Sequence, residues 1–497
     1  MAKTALPVTR ADNFANWYQE VIRAADMAEH SGVRGCMVIK PWGYKIWERI
    51  QQLLDRRIQE TGHDNCYFPL FIPLSLIQKE ASHVEGFAKE MAVVTHHRLV
   101  MEDGQLKPAA PLEEPLVVRP TSETMIGEAF ARWIESYRDL PLKLNQWANV
   151  VRWEMRPRLF LRTSEFLWQE GHTAHATAED ALDETRTMLE VYREVAEDMM
   201  RIPLIPGQKS AGERFPGAVE THTIEAMMQD GRALQAGTSH YLGQNFAKAA
   251  NIAFQDENGR QQLVHTTSWG VSTRLVGGLI MTHADDDGLR LPPVIAPYQV
   301  VVLPIIRDES ARGPVMAACE QLVARLNDQS FAGAPVRAYL DTRDDHAATK
   351  RWNWIKKGVP LICEIGPRDI EKGSLALYKR TLAPSEKSFP DQGEFVAAVA
   401  DHLSEIDAAL FEQAKAYRAQ KMRDDLTTFE ELKAHFDGEN KTGFVRAKWS
   451  GAAGTEDKLG DFGVTIRCIP YDQSGTAGKC IVTGEDATTD VILAKAY

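Results

Sequence analysis

The sequence predicts a multidomain protein that combines α/β and α+β architecture. Its 497 residues exceed what one core serves, since domains run to roughly 100 to 200 residues. Before Leu291, strand-like segments alternate with long amphipathic helices, which predicts an antiparallel sheet with helices packed on it. From Gln299 onwards, short apolar runs alternate with helical segments, the pattern of βαβ units.

The first part of the chain carries strong helix and strand signals. Pro41–Glu60 has apolar residues at helical spacing, and CYFPLFIP after it favours an extended strand. Another helix is expected over Ser122–Tyr137, with Thr121 or Ser122 as N-cap. The next expected elements are the strands KLNQWANVVRWEM and FLWQEGHTAHAT, the helix Ala178–Met200, the strands LQAGTSHYLGQNF and LVHTTSWGVST, and a helix over Arg274–His283.

The character of the sequence changes near LPPVIA, residues 291–296. Strands are expected over Gln299–Pro304, Val336–Leu340 and Val359–Ile365, and helices over Ala311–Asn327 and Ala347–Lys356. The remainder, with its turn SGAAGTEDKLGD, suggests a small further domain. We therefore expect domains at residues 1–292, 293–402 and 403–497.

Composition excludes several classes of protein. With 44% hydrophobic and 25% charged residues the chain is neither disordered nor fibrous, and a net charge of -12 argues against nonspecific coating of nucleic acid. Two basic segments, Arg152–Arg162 and Lys350–Lys357, mix cations with Trp or Phe. This pattern fits single-stranded RNA contacts, and it equally fits solvated charge beside buried aromatic side chains.

The sequence also indicates a compartment. No signal-peptide run opens it and no stretch of eighteen uncharged apolar residues occurs, so we expect a cytosolic protein without membrane association. Six cysteines scattered over the chain suit reduced thiols, and no disulfide is expected.

Two arginines stand where phosphate or carboxylate chemistry could occur. Arg152 lies near the end of an expected strand, with Glu154 two residues on and hence on the same face. Arg274 follows a strand and opens a helix, an end where a cation is unfavourable unless an anion is bound. The guanidinium fork of an arginine suits bidentate binding of oxyanions. The alternative is a surface ion pair for Arg152 with Glu154, and a solvent-exposed side chain at a helix start for Arg274.

These segments resemble the three signature motifs of class II aminoacyl-tRNA synthetases. The helix from Trp42 and the strand after it resemble motif 1. Arg152-Trp153-Glu154, with the loop and return strand that follow, resembles motif 2, and the strand ending at Arg274 with its helix resembles motif 3. The strings RPTSET, VVRWE, FLRTSEFLWQEGHTA, QAGTSHYLGQNF, LRLPP and GVPLICEIGPRD resemble prolyl-tRNA synthetases of the archaeal and eukaryotic type, from about Asn13 to Tyr497.

The resemblance implies ATP-dependent activation of L-proline to prolyl-adenylate, with Mg²⁺, and transfer to tRNA(Pro). It implies catalytic roles for Arg152 and Arg274. Core packing for Trp168, a helix N-terminal acid for Glu123 and a structural histidine for His240 are the competing interpretations. The implied proline-binding residues are Thr121, Glu123, Arg152, Trp168, Glu170, His172 and His240; the implied ATP-binding residues are Arg152, Glu154, Arg162, Thr163, Gln235, Thr238, Ser272 and Arg274.

The resemblance also implies an anticodon-binding α/β domain and a homodimer. Glu364, Arg368 and Lys372 are candidates to contact anticodon bases, with surface ion pairs as the alternative. Dimerisation is implied by the motif 1 helix and strand, although that amphipathic helix could instead pack within one subunit.

The sequence departs from the family pattern in two places. The four zinc cysteines of the C-terminal domain correspond to Ser450, Thr455, Cys480 and Thr483, so no structural zinc is expected. Between His172 and Gln235 only a helix and a short connection are expected, so we expect no editing of mischarged alanyl-tRNA. The final Tyr497 either reaches towards the active site or frays.

Two rival interpretations remain. A threonyl or histidyl enzyme shares the class, but threonyl sites need a zinc-ligating cysteine, and no cysteine occurs between residues 67 and 318. A regulatory module without catalysis is the other rival, against which the chain keeps Arg152, Arg274 and the α/β domain.

Overall fold

The computed structural model describes residues 4–79, 88–438 and 441–497. The first part of the chain begins with helix α1 and a small hairpin, followed by the long helix α2. Its elements are α1 (Phe14–Ala24), β1 (Ala28–His30), β2 (Met37–Ile39), α2 (Pro41–Glu60), β3 (Asp64–Asn65), β4 (Phe71–Pro73), α3 (Leu74–Lys79), a 3₁₀ turn (Ala88–Glu90), β5 (Ala92–His96), β6 (Leu99–Glu102), β7 (Gln105–Pro108), β8 (Pro111–Val118) and α4 (Glu123–Trp133).

The next part holds most of the main sheet. Its elements are a 3₁₀ turn (Tyr137–Asp139), β9 (Leu142–Val151), β10 (Glu165–His175), α5 (Ala178–Arg193), a π-helical turn (Glu194–Met199), β11 (Leu204–Gln208), β12 (Glu220–Met227), β13 (Ala233–Gly243), α6 (Asn245–Ala250), β14 (Ala253–Gln255), β15 (Gln261–Leu263), β16 (His265–Ser272) and α7 (Arg274–His283).

The remaining residues form a parallel unit and a C-terminal unit. Their elements are β17 (Val300–Pro304), a 3₁₀ turn (Glu309–Ala311), α8 (Arg312–Asn327), β18 (Ser330–Phe331), β19 (Ala334–Pro335), β20 (Ala338–Leu340), α9 (Ala347–Lys356), β21 (Leu361–Ile365), α10 (Pro367–Lys372), β22 (Ala376–Lys379), α11 (Gln392–Ala397), α12 (Val399–Lys421), β23 (Met422–Arg423), α13 (Phe429–Phe436), β24 (Phe444–Trp449), α14 (Thr455–Gly460), β25 (Thr465–Pro470), β26 (Gly478–Lys479), β27 (Asp486–Ala487) and β28 (Thr489–Ala494).

One 11-stranded sheet runs through two of these parts. Its order is β23-β24-β28-β25-β11-β12-β13-β16-β10-β9-β3, and the strands from β24 to β9 pair antiparallel. The predicted antiparallel sheet is confirmed. Strand β25 of the C-terminal unit pairs with β11 through Gly207 and Pro470, so the two units share one continuous sheet.

The parallel unit packs between two cores. Strands β20, β17 and β21 are parallel and β22 closes the sheet antiparallel, as the βαβ pattern predicts for the first three. Val300 and Val302 face the unit's own helices, whereas Val301 and Leu303 join the core beneath the main sheet. A strand buried on both faces in this way is continuously apolar.

Several predicted boundaries are wrong. Helix α4 ends at Trp133, because Ile134 has extended backbone geometry, and not at Tyr137. The strand before the first basic loop ends at Val151, so Arg152 and Glu154 lie just beyond it and not on it. The expected helix to Met200 is α-helical only to Arg193 and continues as a π turn.

The segment between His172 and Gln235 was also predicted incorrectly. Besides α5 it contains β11 and β12, two inner strands of the main sheet. The expectation of a helix and a short connection failed because PLIPGQ contains Pro and Gly, which oppose strand formation, yet β11 forms between two partners.

Other sequence patterns are explained by packing. The apolar face of α2, including Ile46, Ile50 and Leu54, is buried within the chain. Helix α9 coincides with the second basic segment, and its Lys350 and Trp354 are buried, so this part of the segment serves the core. Over the described ranges, no helix is long and apolar enough to cross a membrane.

Candidate active site

Strand register brings the chemistry-bearing side chains onto one face of the main sheet. Glu170 of β10 is opposite Gly270 of β16, which is opposite Thr238 of β13. Two residues further on, His172 is opposite Ser268, and Ser268 is opposite His240. Directly opposed residues share a face, so three strands contribute to one site.

A cavity of about 350 Å³ opens on this face. All the side chains predicted from the sequence to bind proline line it, as do five of the eight predicted to bind ATP. The predicted residues that line it are Thr121, Glu123, Arg152, Trp168, Glu170, His172, Gln235, Thr238, His240, Ser272 and Arg274.

A second cavity of about 250 Å³ adjoins the first. Arg152, Phe166, Ser272 and Arg274 line both cavities. The remaining side chains assigned to ATP, Glu154, Arg162 and Thr163, line only the second. The two arginines therefore stand at the junction between the two spaces.

Arg152 is held in place at that junction. Its Nε donates to the carbonyl of Pro120 at 2.9 Å, and its guanidinium lies 5.3 Å from the ring centre of Trp168. Burial lowers the pKa of Arg152, while Glu123, Glu90 and Glu170 oppose the shift. The side chain therefore remains a cation whose position is fixed before any ligand binds.

Arg274 faces Arg152 from the start of α7. Its Nε donates to the carbonyl of Leu161 at 3.3 Å, and its backbone N–H donates to Ser272 Oγ at 3.1 Å. Burial, and then the charges of Arg162, Arg152 and Arg467, lower its pKa to about 10. So many cations close together create a positive potential that an oxyanion would relieve.

Glu170 and His172 form a buried ion pair on β10. His172 Nε2 lies 3.2 Å from Glu170 Oε2, and Glu170 Oε1 accepts from Ser122 Oγ at 2.5 Å and from Gln146 Nε2 at 2.7 Å. Burial opposes ionisation, but these bonds lower the pKa of Glu170, and the two glutamates Glu170 and Glu123 raise the pKa of His172. Ser122 is thus occupied by Glu170 and makes no N-cap bond to α4.

His240 has the opposite electrostatic character. Its Nδ1 lies 3.0 Å from Thr221 Oγ1, and its ring centre lies 4.6 Å from that of Phe215. Burial, and then the charges of His222 and His172, lower its pKa to about 3. The cavity therefore has an imidazole with a lowered pKa on one wall and an imidazole with a raised pKa on another.

A β-bulge explains how Gln235 reaches the cavity. Ile224 pairs with Gly237, but Glu225 pairs with Gln235, so Ala236 is an extra residue in β13. In a regular strand Gln235 and Thr238 would point to opposite faces. The extra residue brings both onto the cavity wall.

A loop that was not predicted from the sequence also contributes to the cavity. Residues Glu213, Arg214, Phe215 and Pro216, between β11 and β12, line it from above. Within the string GERFPG only the lone aromatic Phe215 between charged residues and Pro could have signalled this role. Also missed were Phe166, Thr221 and Trp269 of the first cavity and Glu90 of the second.

The residues assigned to the anticodon lie elsewhere, at the end of β21 and on α10. Glu364 is buried and pairs with Arg351 Nη1 at 2.5 Å and with the hydroxyl of Tyr378 at 3.0 Å. Arg368 and Lys372 are exposed on α10. Of the three assigned residues, Arg368 and Lys372 are therefore the two that are exposed to solvent, and both are cationic.

The positions aligned with zinc ligands only partly converge. Burial raises the pKa of the Cys480 thiol, but hydrogen bonds from Ser450 and Thr483 lower it to about 7. Thr455 is turned elsewhere, because its hydroxyl donates to the carbonyl of Ala452 at 2.7 Å. Among the residues that the structure describes, no group of three or more His, Cys, Asp or Glu could hold a metal ion, and all six cysteines are free.

Tyr497 is ordered and lies beside the loop after β9. Its hydroxyl donates to Asp230 Oδ2 at 2.5 Å, its N–H donates to the carbonyl of Ala233 at 3.0 Å, and Arg158 lies 5.8 Å above its ring. It lines a larger polar cavity, distinct from the two described above.

Family models match three parts of the chain. Residues 106–283 match the class II tRNA synthetase core domain of the G, H, P, S and T enzymes, residues 299–402 an anticodon binding domain, and residues 429–497 the C-terminal domain of prolyl-tRNA synthetases. With the antiparallel sheet and its paired arginines, these matches define the chain as a class II aminoacyl-tRNA synthetase.

Full-length relatives narrow the class to one family. The proline–tRNA ligase of Protochlamydia amoebophila is 58% identical and that of Paramagnetospirillum magneticum 59% identical, each over 100% of this chain and 99% of its own. The crystal structure of the Cryptosporidium parvum prolyl-tRNA synthetase with halofuginone and AMPPNP is 37% identical, covers 99% of both chains and gives a TM-score of 0.89. The chain belongs to the prolyl-tRNA synthetases. It uses ATP to attach proline to tRNA(Pro).

Proposed function

We propose that the first cavity binds proline and the triphosphate end of ATP, and that the second binds the adenosine end. The observation that carries this assignment is the position of Arg152 and Arg274 where the two cavities meet. A guanidinium at that point can contact the proline carboxylate and the α-phosphate together.

The proline side of the site is acidic and partly apolar. Thr121 donates a hydrogen bond to Glu123, which leaves the second carboxylate oxygen for the substrate's secondary ammonium. Trp168 and the neutral His240 supply apolar walls, and the Glu170–His172 pair closes the base. A cationic amine beside Glu123 and a carboxylate beside Arg152 fit the two ends of an amino acid.

The reaction then depends on position and charge. The proline carboxylate attacks the α-phosphorus and diphosphate leaves. A hydroxyl of the 3′-terminal ribose of tRNA(Pro) then attacks the carbonyl carbon of prolyl-adenylate, and AMP leaves as the ester to tRNA forms. Arg152 and Arg274 stabilise charge that develops on the phosphate oxygens. We infer that Mg²⁺ bound to ATP would supply charge neutralisation for the departing diphosphate.

Substitution of Arg152 tests this assignment. We expect Arg152→Lys to lower kcat/KM for ATP–diphosphate exchange by about 10²- to 10³-fold, because a point charge replaces a planar fork at the developing charge. The exposed Arg138 serves as the control, and Arg138→Lys should keep full exchange activity. If Arg152→Lys and Arg138→Lys had equal exchange activity, Arg152 would have no role in the reaction.

We propose that Arg368 and Lys372 contact the anticodon, while the buried Glu364 positions Arg351. Alanine at either exposed position should lower charging of tRNA(Pro) about tenfold and leave ATP–diphosphate exchange unchanged, because the two sites are separate and each lost phosphate or base contact weakens RNA binding. Unchanged charging kinetics would refute the anticodon assignment. The divisions at residues 292 and 402 stay predictions.

We also propose a cytosolic homodimer without structural zinc. Tyr67 and Phe71, on the segment after α2, are 69% and 45% exposed, and a subunit interface at this segment would bury their apolar surface. Tyr67→Asp combined with Phe71→Asp should convert the dimer to a monomer in light scattering. One stoichiometric zinc in the purified protein would contradict the zinc proposal.

A further inference from the structure

A buried carboxylate lies on β12, beside the bulged part of β13. Glu225 of β12 is fully buried and is the cross-strand partner of Gln235. Its Oε1 accepts from Thr223 Oγ1 at 2.9 Å, and Thr223 also bonds the carbonyl of Gly237 at 3.4 Å. Glu225 and Thr223 thus hold both sides of the extra residue, Ala236.

Two buried cations neutralise this carboxylate. Lys209 Nζ lies 2.8 Å from Glu225 Oε1, and Arg467 Nε donates to Glu225 Oε2 at 3.0 Å. Lys209 Nζ also donates to the backbone carbonyl of Arg467 at 2.7 Å, so the three residues form one network. A fully buried carboxylate is tolerated only when it is paired and hydrogen-bonded in this way.

The partner Arg467 comes from the C-terminal unit. It lies on β25, 242 residues after Glu225, and its side chain is only 8% exposed. Its charge reaches the site as well, since it contributes to the lowered pKa of Arg274. A residue far from the three class motifs thus contacts the strand pair that carries Gln235.

We propose that Arg467 is a positioning residue for ATP activation: by fixing Glu225 opposite Gln235, it maintains the Ala236 bulge that directs Gln235 into the cavity. This inference rests on the proposed role of Gln235 in ATP binding. Arg467 is not among the side chains that line either cavity, so its effect is expected to pass through the geometry of β12 and β13.

Substitution of Arg467 should separate the two substrates. We expect Arg467→Met to raise the KM for ATP about tenfold and the KM for proline less than about threefold in ATP–diphosphate exchange, because every proposed proline contact except His240 lies outside β12 and β13. Arg467→Lys keeps a positive charge beside Glu225, so its KM for ATP should lie between those of Arg467→Met and the wild-type protein. The control is Arg446→Met, which removes a cation paired with Asp472 and Asp490 in the same sheet and should leave both KM values unchanged.

A double-variant cycle tests the route of the effect. If Arg467 acts through Gln235, Gln235→Ala with Arg467→Met should show the same KM for ATP as Gln235→Ala alone, since coupled residues are not additive. Additive effects, or equal rises in both KM values, would overturn the inference. An unchanged KM for ATP in Gln235→Ala would instead refute the ATP role of Gln235. If Arg467→Met loses its folded circular dichroism spectrum, Arg467→Lys decides the same cycle.

Discussion

At the scale of single residues, the site contains charged side chains whose burial costs desolvation free energy. The positions of Arg152, Glu170 and His172 could be predicted because short motif strings contain them. Their partners could not, since Ser122 and Gln146 reach Glu170 from 48 and 24 residues away. A strand pattern identifies a face of the sheet, but it does not identify which side chain satisfies a buried carboxylate on that face.

His172 and His240 should respond oppositely to pH. The raised pKa of His172 means that its stabilising contribution is complete below its unfolded-state pKa and is lost as pH rises through the folded-state value. The pKa of His240, lowered to about 3, means that its contribution is complete above its unfolded-state pKa and falls as pH drops towards 3.

We therefore expect His172→Gln to reduce the free energy of unfolding by about 1 to 3 kcal/mol at about pH 6 and by less at about pH 8.5. His240→Gln should show a larger deficit at about pH 7.5 than at about pH 5. Urea unfolding across this range measures both. Parallel pH profiles for the two variants would contradict the assigned charges.

At the scale of elements, sequence patterns predicted helices and strands well where periodicity was long. Helices α2 and α7 match their expected ranges at both ends. The patterns failed where tertiary contacts override local preference, as in β11 with its Pro206 and Gly207. The bulge at Ala236 could not be predicted either, because an extra residue in a strand changes the pairing of the strand and not its composition.

The pairing of β10 with β16 depends on a glycine. Gly171 is opposite Trp269, and a Cβ at Gly171 would lie 2.0 Å from atoms of that buried indole. Gly171→Ala should lower the free energy of unfolding by about 1 to 3 kcal/mol through overpacking. Gly32→Ala, where a Cβ would meet nothing within 4 Å, is the control in thermal unfolding. Equal melting temperatures of Gly171→Ala and Gly32→Ala would show that β10 and β16 accommodate the added methyl group without loss of stability.

At the scale of the whole molecule, one continuous sheet joins the strands of the main catalytic part to those of the C-terminal unit. The change of pattern near LPPVIA predicted the parallel unit correctly, but nothing in the sequence indicated that β25 would join β11. Pairing between strands so distant along the chain has no local signal, because register depends on the partner's surface. The proposed domain boundaries do not capture this continuity.

The seam between β11 and β25 should be sensitive to side-chain size. A Cβ at Gly207 would lie 2.4 Å from the carbonyl oxygen of Ile469, a backbone atom that cannot rotate away. Gly207→Ala should therefore increase hydrogen exchange in β25 and lower the melting temperature, whereas Gly32→Ala, with open space around it and outside any helix, should change neither. Unaltered exchange in β25 would show that the seam is not tight.

The pairing of Glu225 with Arg467, across 242 residues, also bears on synthesis of the protein. While a ribosome is still translating the parallel unit, β11 remains an open edge and Glu225 lacks one of its two cations. Closing so long a loop comes late and is slow, because distant contacts repay the entropy of closure only once they form. A nascent chain of that length contains both arginines of the site but lacks the contact from Arg467 to Glu225, the cross-strand partner of Gln235.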